Sequence, residues 1–226
     1  MPVLGMSPGE MTTAFPGRAA AGLQLGERLK AAYPALDPER AVVLALPRGG
    51  VPVGKEVAAC LGVPLDVLVT RKIGHPQEPE LGLGAVAEGG EPVFDEYMLR
   101  QVALREEDLA EVTASEQAEL QRRVQVYREG RPPPEVAGKH VFVVDDGLAT
   151  GVTARAAVRA VRSHDAVRTV LAVPVASESA VESLKTETDE VVTLVTPRRF
   201  RSVGEWYAEF GQLADADVLT LLAGSR

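Results

Sequence analysis

The 226-residue sequence predicts an α/β fold, a mostly parallel, twisted sheet flanked by helices on both faces. Three observations carry that expectation. Runs such as AVVLAL (41–46) and VFVV (141–144) are apolar at consecutive positions, the pattern of a strand covered on both sides. These runs alternate with stretches of helical character, as parallel strands and their crossover helices do. The length suits one domain, residues 1–226, able to bury a substantial core.

Taken in order, residues 17–32 read as a helix, 41–46 as the first strand, 51–61 as a helix and 64–69 (PLDVLV) as the second strand. TRKIGHPQEPELGLG (70–84) is so rich in Gly and Pro that it reads as a long loop. AVAEGGEPVF (85–94) reads as a small hairpin turning at Gly89-Gly90. Residues 95–129 carry many charges and strong helix formers, which predicts one or two exposed helices as an insertion at about 95–130. GRPPPEVAG then stops them, and the alternation resumes. It gives strand 140–144, helix 152–163, strand 168–173, helix 177–185, strand 190–195 and a last helix around 215–223.

Composition removes several classes of function. A net charge of −8 repels polyanions on average, which disfavours general binding to nucleic acid or anionic membranes and leaves room for a local basic pocket. The lone Cys60, in VAACLGV, excludes an intrachain disulfide and reads as a buried thiol. No apolar run reaches membrane-spanning length and MPVLGMSPGE lacks a signal pattern, so a cytoplasmic location is expected. His75, His140 and His164 show no metal-ligand spacing, so no metal held by the protein alone is expected.

The chemistry concentrates in VFVVDDGLATGVT (141–153). The strand ends on Asp145 and Asp146, and carboxyl ends of strands are where open α/β sheets bind ligands. Gly147 and Gly151 let backbone approach a ligand, and Thr150 and Thr153 bring hydroxyls. A helix starting near Val152 aims its free N–H groups and positive dipole end into the turn, making a phosphate site. Phosphate on the turn and hydroxyl acceptors beside it suit a phosphorylated sugar with a free diol. The plainer explanation is an Asp-rich turn that caps a helix.

VVDDGLATGVT resembles the phosphoribosyl-pyrophosphate motif of type I phosphoribosyltransferases: apolar strand, two acids, two spacers, a short Ala/Ser/Thr pair, Gly, a spacer and a hydroxyl residue. The resemblance covers about residues 15–90 and 138–195. It implies that family's fold, with a variable acceptor hood to which 196–226 contribute. It also implies that Asp145 and Asp146 hold the ribose hydroxyls while Ala149, Thr150, Gly151, Val152 and Thr153 wrap the 5′-phosphate. LALPRGGVPVG places Arg48, Gly49 and Gly50 where the family has its pyrophosphate loop, and an Arg fork matches phosphate oxygens. VLVTRKIGHP places Arg71 and Lys72 at the end of the second strand, where some branches carry a catalytic Arg-Lys pair. A solvated basic pair is the alternative.

The loop from Ile73 to Gly84 resembles in position the family's flexible lid, or is a passive surface loop. His75, Glu78, Glu80 and Glu88 are the candidate proton acceptors. Ala149 replaces the Asp of the hypoxanthine and guanine branch, so the motif form is closer to the adenine branch. His75 stands where several branches place a Lys after the Arg-Lys pair, a departure from that branch too. Phe200, Trp206, Tyr207 and Phe210 cluster in the tail, either to stack on a flat heterocycle or to pack a core.

Three short matches fail on context. GLGAVA (82–87) fits the dinucleotide pattern without a strand before it or a helix after it. GMSPG (5–9) spells a nucleophile elbow at Ser7 without a preceding strand. Gly147 to Thr153 lacks the lysine of a P-loop. The leading expectation is Mg²⁺-dependent transfer of 5-phosphoribosyl from phosphoribosyl pyrophosphate to a heterocyclic nitrogen nucleophile, by a chain that forms homodimers if it follows the family. The competing one is a non-catalytic sensor of phosphoribosyl pyrophosphate.

Overall fold

A computed structural model of the chain describes residues 14–224. The first ten residues, which hold the nucleophile-elbow match at Ser7 and the stretch read for a signal pattern, lie outside the described residues.

The main sheet has five parallel strands in the order β2-β1-β6-β7-β8. These are β1 (Ala41–Ala45), β2 (Leu65–Val67), β6 (His140–Val144), β7 (Arg168–Val175) and β8 (Glu190–Val195). β1 and β6 lie side by side, Ala41 opposite His140 through Ala45 opposite Val144. From that seam the chain departs in opposite directions. Helix α2 (Gly50–Leu61) returns β1 to β2, and helix α5 (Val152–Arg162) returns β6 to β7.

Two-sided burial explains why the strands lack polar alternation. Val43, Ala45, Phe142 and Val144 pack on one face with Val51, Val53 and Val57 of α2 and with Leu25 and Leu29 of helix α1 (Arg18–Ala32). Val42, Leu44, Val141 and Val143 pack on the other with Ala154, Ala157, Val158 and Val161 of α5. Helix α6 (Glu178–Leu184) adds Ala180 and Leu184 to that second face. The outer side of α5 is a stripe of Arg155, Arg159 and Arg162, of which Arg155 and Arg159 pair with Glu187 at 3.1 and 2.6 Å. Helix α7 (Asp215–Ala223) closes the α2 side through Val218 and Leu222.

The segment expected to be a long loop, 70–84, is instead mostly strand. β3 (Thr70–Gly74), β4 (Gly82–Ala87) and β5 (Val93–Phe94) form a separate antiparallel sheet. Only 75–81 bridge β3 and β4, and that tip is closed by His75 N–H to Leu81 O at 2.9 Å and Leu81 N–H to Glu78 O at 2.9 Å. The glycines that read as loop serve close packing: a Cβ on Gly84 would lie 2.7 Å from Val93 O. The hairpin turning at Gly89-Gly90 is present, with Ala85 opposite Val93.

This small sheet is held between two helical layers. Ala85, Ala87 and Val93 pack on Val152, Ala156 and Ala160 of α5. Ile73 and Leu83 pack with Leu99 of helix α3 (Glu96–Gln101) and with Leu109, just before helix α4 (Ala110–Arg128). The insertion is therefore less exposed than expected, because one side of it covers the small sheet. At its end Arg128 is 3% exposed; its Nε donates to Glu88 at 2.8 Å, Nη1 to Asp66 at 2.9 Å and Nη2 to Val67 O at 2.8 Å. One guanidinium thus ties α4 to both sheets. Cys60 is half-buried between α1 and α2 and unpaired; burial first, then Glu27 and Glu56, push its thiol pKa up. No helix among the described residues is long and apolar enough to cross a membrane.

Candidate active site

The β1/β6 seam is the point where strand order reverses, and loops there diverge to leave a crevice beyond the carboxyl ends. Two of the predicted stretches meet in it. Leu46 N–H donates to Val144 O at 2.8 Å, which lays the loop after β1 on the end of β6. Behind it come Arg48, Gly49 and Gly50, and in front of it Asp145 and Asp146. The contact is tight: a Cβ on Gly49 would fall 2.0 Å from Asp146 Oδ2, and one on Gly50 would fall 2.7 Å from Val144 O. Glycine is required here by space, since the Gly49 backbone (φ −60°, ψ −36°) is open to any residue.

The turn after the acids is anchored on its far side. Leu148 N–H donates to Val175 O and Ser177 N–H to Leu148 O, both at 2.9 Å. Ser177 Oγ donates to Ala149 O at 2.6 Å. Gly147 packs against Val203 and Val175. Ala149 and Thr150 are exposed, Thr153 is half-buried, and Gly151 and Val152 are buried. Gly151 starts α5 from the left-handed region (φ 77°) without a side-chain cap. The first amides of α5 are thus available to an anion at the positive end of the helix.

Both carboxyls are held in a dry setting. Burial first, and then the charge of Asp146, pushes Asp145 well above the ordinary carboxylate range. Burial also raises Asp146, against the opposing pull of Arg18. Asp145 Oδ1 accepts from the Asp146 N–H at 2.8 Å. Tyr207 Oη donates to Asp146 O at 2.5 Å, and burial raises the Tyr207 pKa.

Arg48 sits at the crevice mouth, 37% exposed, with Nη1 at 3.5 Å from Asp215 of α7. The Pro47-Arg48 peptide bond is cis. Arg71 and Lys72, expected at the end of a parallel strand, stand on β3 of the small sheet. Arg71 is turned to α4, where its Nε and Nη2 both lie 2.6 Å from Glu116 Oε2. Lys72 lies on the α5 side, its stem beside Gly82 and its ammonium donating to Glu80 O at 3.0 Å. Both border a polar cavity of about 340 Å³ with His75, Glu80 and Glu116. The physical reason for the shift is that a bulged hairpin, not a loop, follows β2, and its pleat sends neighbouring side chains to opposite faces.

The candidate proton acceptors fare differently. Glu88 accepts from Arg128 on both oxygens, at 2.8 and 2.9 Å, and belongs to the structural ion cluster. His75 Nδ1 accepts from Gln77 and Glu78 N–H at 3.1 and 3.2 Å, which leaves its Nε2–H for the cavity. Glu80 holds Lys72, and Glu78 is exposed. Among the described residues no group of three or more His, Cys, Asp and Glu is arranged to hold a metal ion.

The tail aromatics pack on one another. Phe15 and Tyr207 rings are 5.4 Å apart, Tyr207 and Phe210 stack at 5.2 Å, and the Arg18 guanidinium lies 3.8 Å from the Phe210 ring centre. Sequence reading missed Arg18 and Asp215, which meet the site only through the fold.

An acidic pair, a glycine-tight loop and an uncapped helix start thus meet at one switch point of a parallel α/β sheet. Residues 25–200 match the family model described as the phosphoribosyl transferase domain, and the chain belongs to that family. It is 43% identical over 208 residues to a Mycobacterium tuberculosis (strain H37Rv) protein provisionally named as the phosphoribosyl transferase Rv0571c. The match covers 92% of this chain and 46% of that protein, so the chain spans about half the length of the curated relatives it matches. The crystal structure of TT1426 from Thermus thermophilus is similar with a TM-score of 0.77 and 43% identity, over 93% of this chain and 98% of that one. The AQ2163 protein from Aquifex aeolicus, 13% identical with a TM-score of 0.52, shares the fold over 83% of this chain and 78% of its own.

Proposed function

We propose that this crevice binds phosphoribosyl pyrophosphate and transfers its 5-phosphoribosyl group to a nitrogen nucleophile, a nucleobase-like heterocycle, releasing pyrophosphate. The observation that carries the reading is the closure of Gly49 and Gly50 onto Asp145 and Asp146 beside the start of α5. It supports the reading because the acidic pair then lies between two stretches of backbone suited to anions.

In this reading Asp145 and Asp146 accept from the ribose hydroxyls. The amides of Gly151, Val152 and Thr153, with the Thr150 and Thr153 hydroxyls, take the 5′-phosphate, the small Ala149 leaves room for it, and Gly147 lets the turn pack closely on Val203 and Val175. Arg48 and the Gly49 and Gly50 amides steady the pyrophosphate, with Lys72 and, after release from Glu116, Arg71 as the further cations. Mg²⁺ carried on the diphosphate supplies charge neutralisation there.

The C1′–oxygen bond breaks with its electron pair leaving on pyrophosphate, the C1′–nitrogen bond forms from the acceptor's lone pair, and the proton of the acceptor nitrogen passes to the departing pyrophosphate or to water. Positive charge grows at C1′ and negative charge on the leaving group, so the residues act by holding both in place. A pyrophosphate-release screen across purines, pyrimidines and related heterocycles tests the reading. Release with at least one acceptor supports it. Binding of phosphoribosyl pyrophosphate with no release from any acceptor favours a sensor.

A further inference from the structure

Asp146 is gripped by residues far from it in the chain. In the first turn of α1, Arg18 donates from Nε to Asp146 Oδ2 at 2.8 Å and from Nη1 to Gly211 O at 2.9 Å. Its guanidinium lies on the Phe210 ring at 3.8 Å, and its side chain is only 12% exposed. Three contacts fix one planar group. The backbone around it is fixed as well, because the Phe15 N–H donates to Trp206 O at 3.0 Å and the Ala208 N–H to Phe15 O at 2.9 Å.

We infer that Arg18 is a sugar-positioning residue: it holds the Asp146 carboxylate charged and aimed for the ligand's diol, and it makes 207–211 a working part of that subsite. The inference rests on the sugar-binding role proposed for the acidic pair. Arg18 uses only Oδ2 of Asp146, which leaves Oδ1 for an incoming hydroxyl. Two bare neighbouring carboxylates would compete for a proton, and a fixed guanidinium favours the ionised form of one of them. The groups facing Asp146 are Asp145 on its own turn, Arg18 from α1 and the Tyr207 hydroxyl from the tail. Among the described residues, Arg18 is the single cation in that group.

The test is calorimetric titration of the intact chain, R18Q and R18K with ribose 5-phosphate and, separately, inorganic phosphate. R18Q is expected to weaken ribose 5-phosphate about tenfold, because a carboxylate without its charge-assisted hydrogen bond is no longer held toward the diol, and to leave inorganic phosphate unchanged. R18K, which keeps the charge, restores most of the loss. Removing the cation raises the Asp146 pKa, so the acid limb of ribose 5-phosphate binding moves to higher pH in R18Q. Equal binding by R18Q and the parent, or equal loss of both ligands, overturns the inference. Should R18Q fail to fold, F210L removes the ring behind the guanidinium; a selective loss for ribose 5-phosphate supports the inference, and no loss overturns it. A parent chain that binds neither ligand fails the underlying reading, and this inference with it.

Discussion

Gly49 and Asp146 occupy the same few ångströms: a single methyl group on Gly49 would sit 2.0 Å from the Asp146 carboxylate oxygen. Neither β1 nor β6 determines that contact alone. It follows from their parallel pairing, which brings two loops together that stand almost a hundred residues apart in the chain.

Gly49→Ala is therefore expected to displace either the loop or the carboxylate. Overpacking of this kind costs about 1–3 kcal/mol, and the displaced group is one to which the proposed function gives a part in binding. A urea titration should show the lower stability, and a binding titration should show affinity for phosphoribosyl pyrophosphate lost by more than stability alone explains.

Asp145 sets a pH dependence whose sign is fixed by its raised pKa. An acid that holds its proton more tightly when folded contributes stability that is complete below its unfolded value, about pH 4, and is lost as pH climbs through the raised value. Asp145→Asn carries no such charge. Melting curves of D145N and the parent should coincide at acid pH and separate as pH rises, with D145N melting higher at neutral pH. Curves that stay parallel across the range would contradict the buried, charge-strained setting.

Arg128 predicts the opposite behaviour. Its removal leaves Asp66 and Glu88 facing each other without their cation, and breaking a buried pair costs about 3–5 kcal/mol. Arg128→Met should lose stability of that order in denaturant titration, with the small sheet and α4 losing hydrogen-exchange protection first.

Glu116 competes with any anion for Arg71, since both Nε and Nη2 are committed to it at 2.6 Å. Glu116→Gln weakens that hold. The pair is partly exposed and worth about 1 kcal/mol, so inorganic pyrophosphate should bind several-fold more tightly to E116Q. Unchanged affinity would show that Arg71 serves α4 and not the ligand.

The parallel layers and the acidic turn were legible because their signals are local. VFVV must be covered on both faces, and two acids directly after it can only stand at the strand's end. The small sheet was illegible because its strands owe their form to neighbours: Gly84 fits under Val93, and Lys72 and Arg71 line opposite sides of a pleat seen only once β4 is paired. Arg18 had no signal at all. It lies 128 positions from Asp146, in a helix whose sequence gives no reason to set it apart. Tyr207 was singled out as an aromatic, and its role in gripping the Asp146 backbone comes from the hydroxyl rather than the ring.

The most direct test of the account is calorimetric titration of the chain with phosphoribosyl pyrophosphate and Mg²⁺, beside the Asp145→Asn/Asp146→Asn double variant. Saturable binding by the parent that collapses in the double variant is the predicted result. No binding by the parent, or binding that survives loss of both carboxylates, would contradict it.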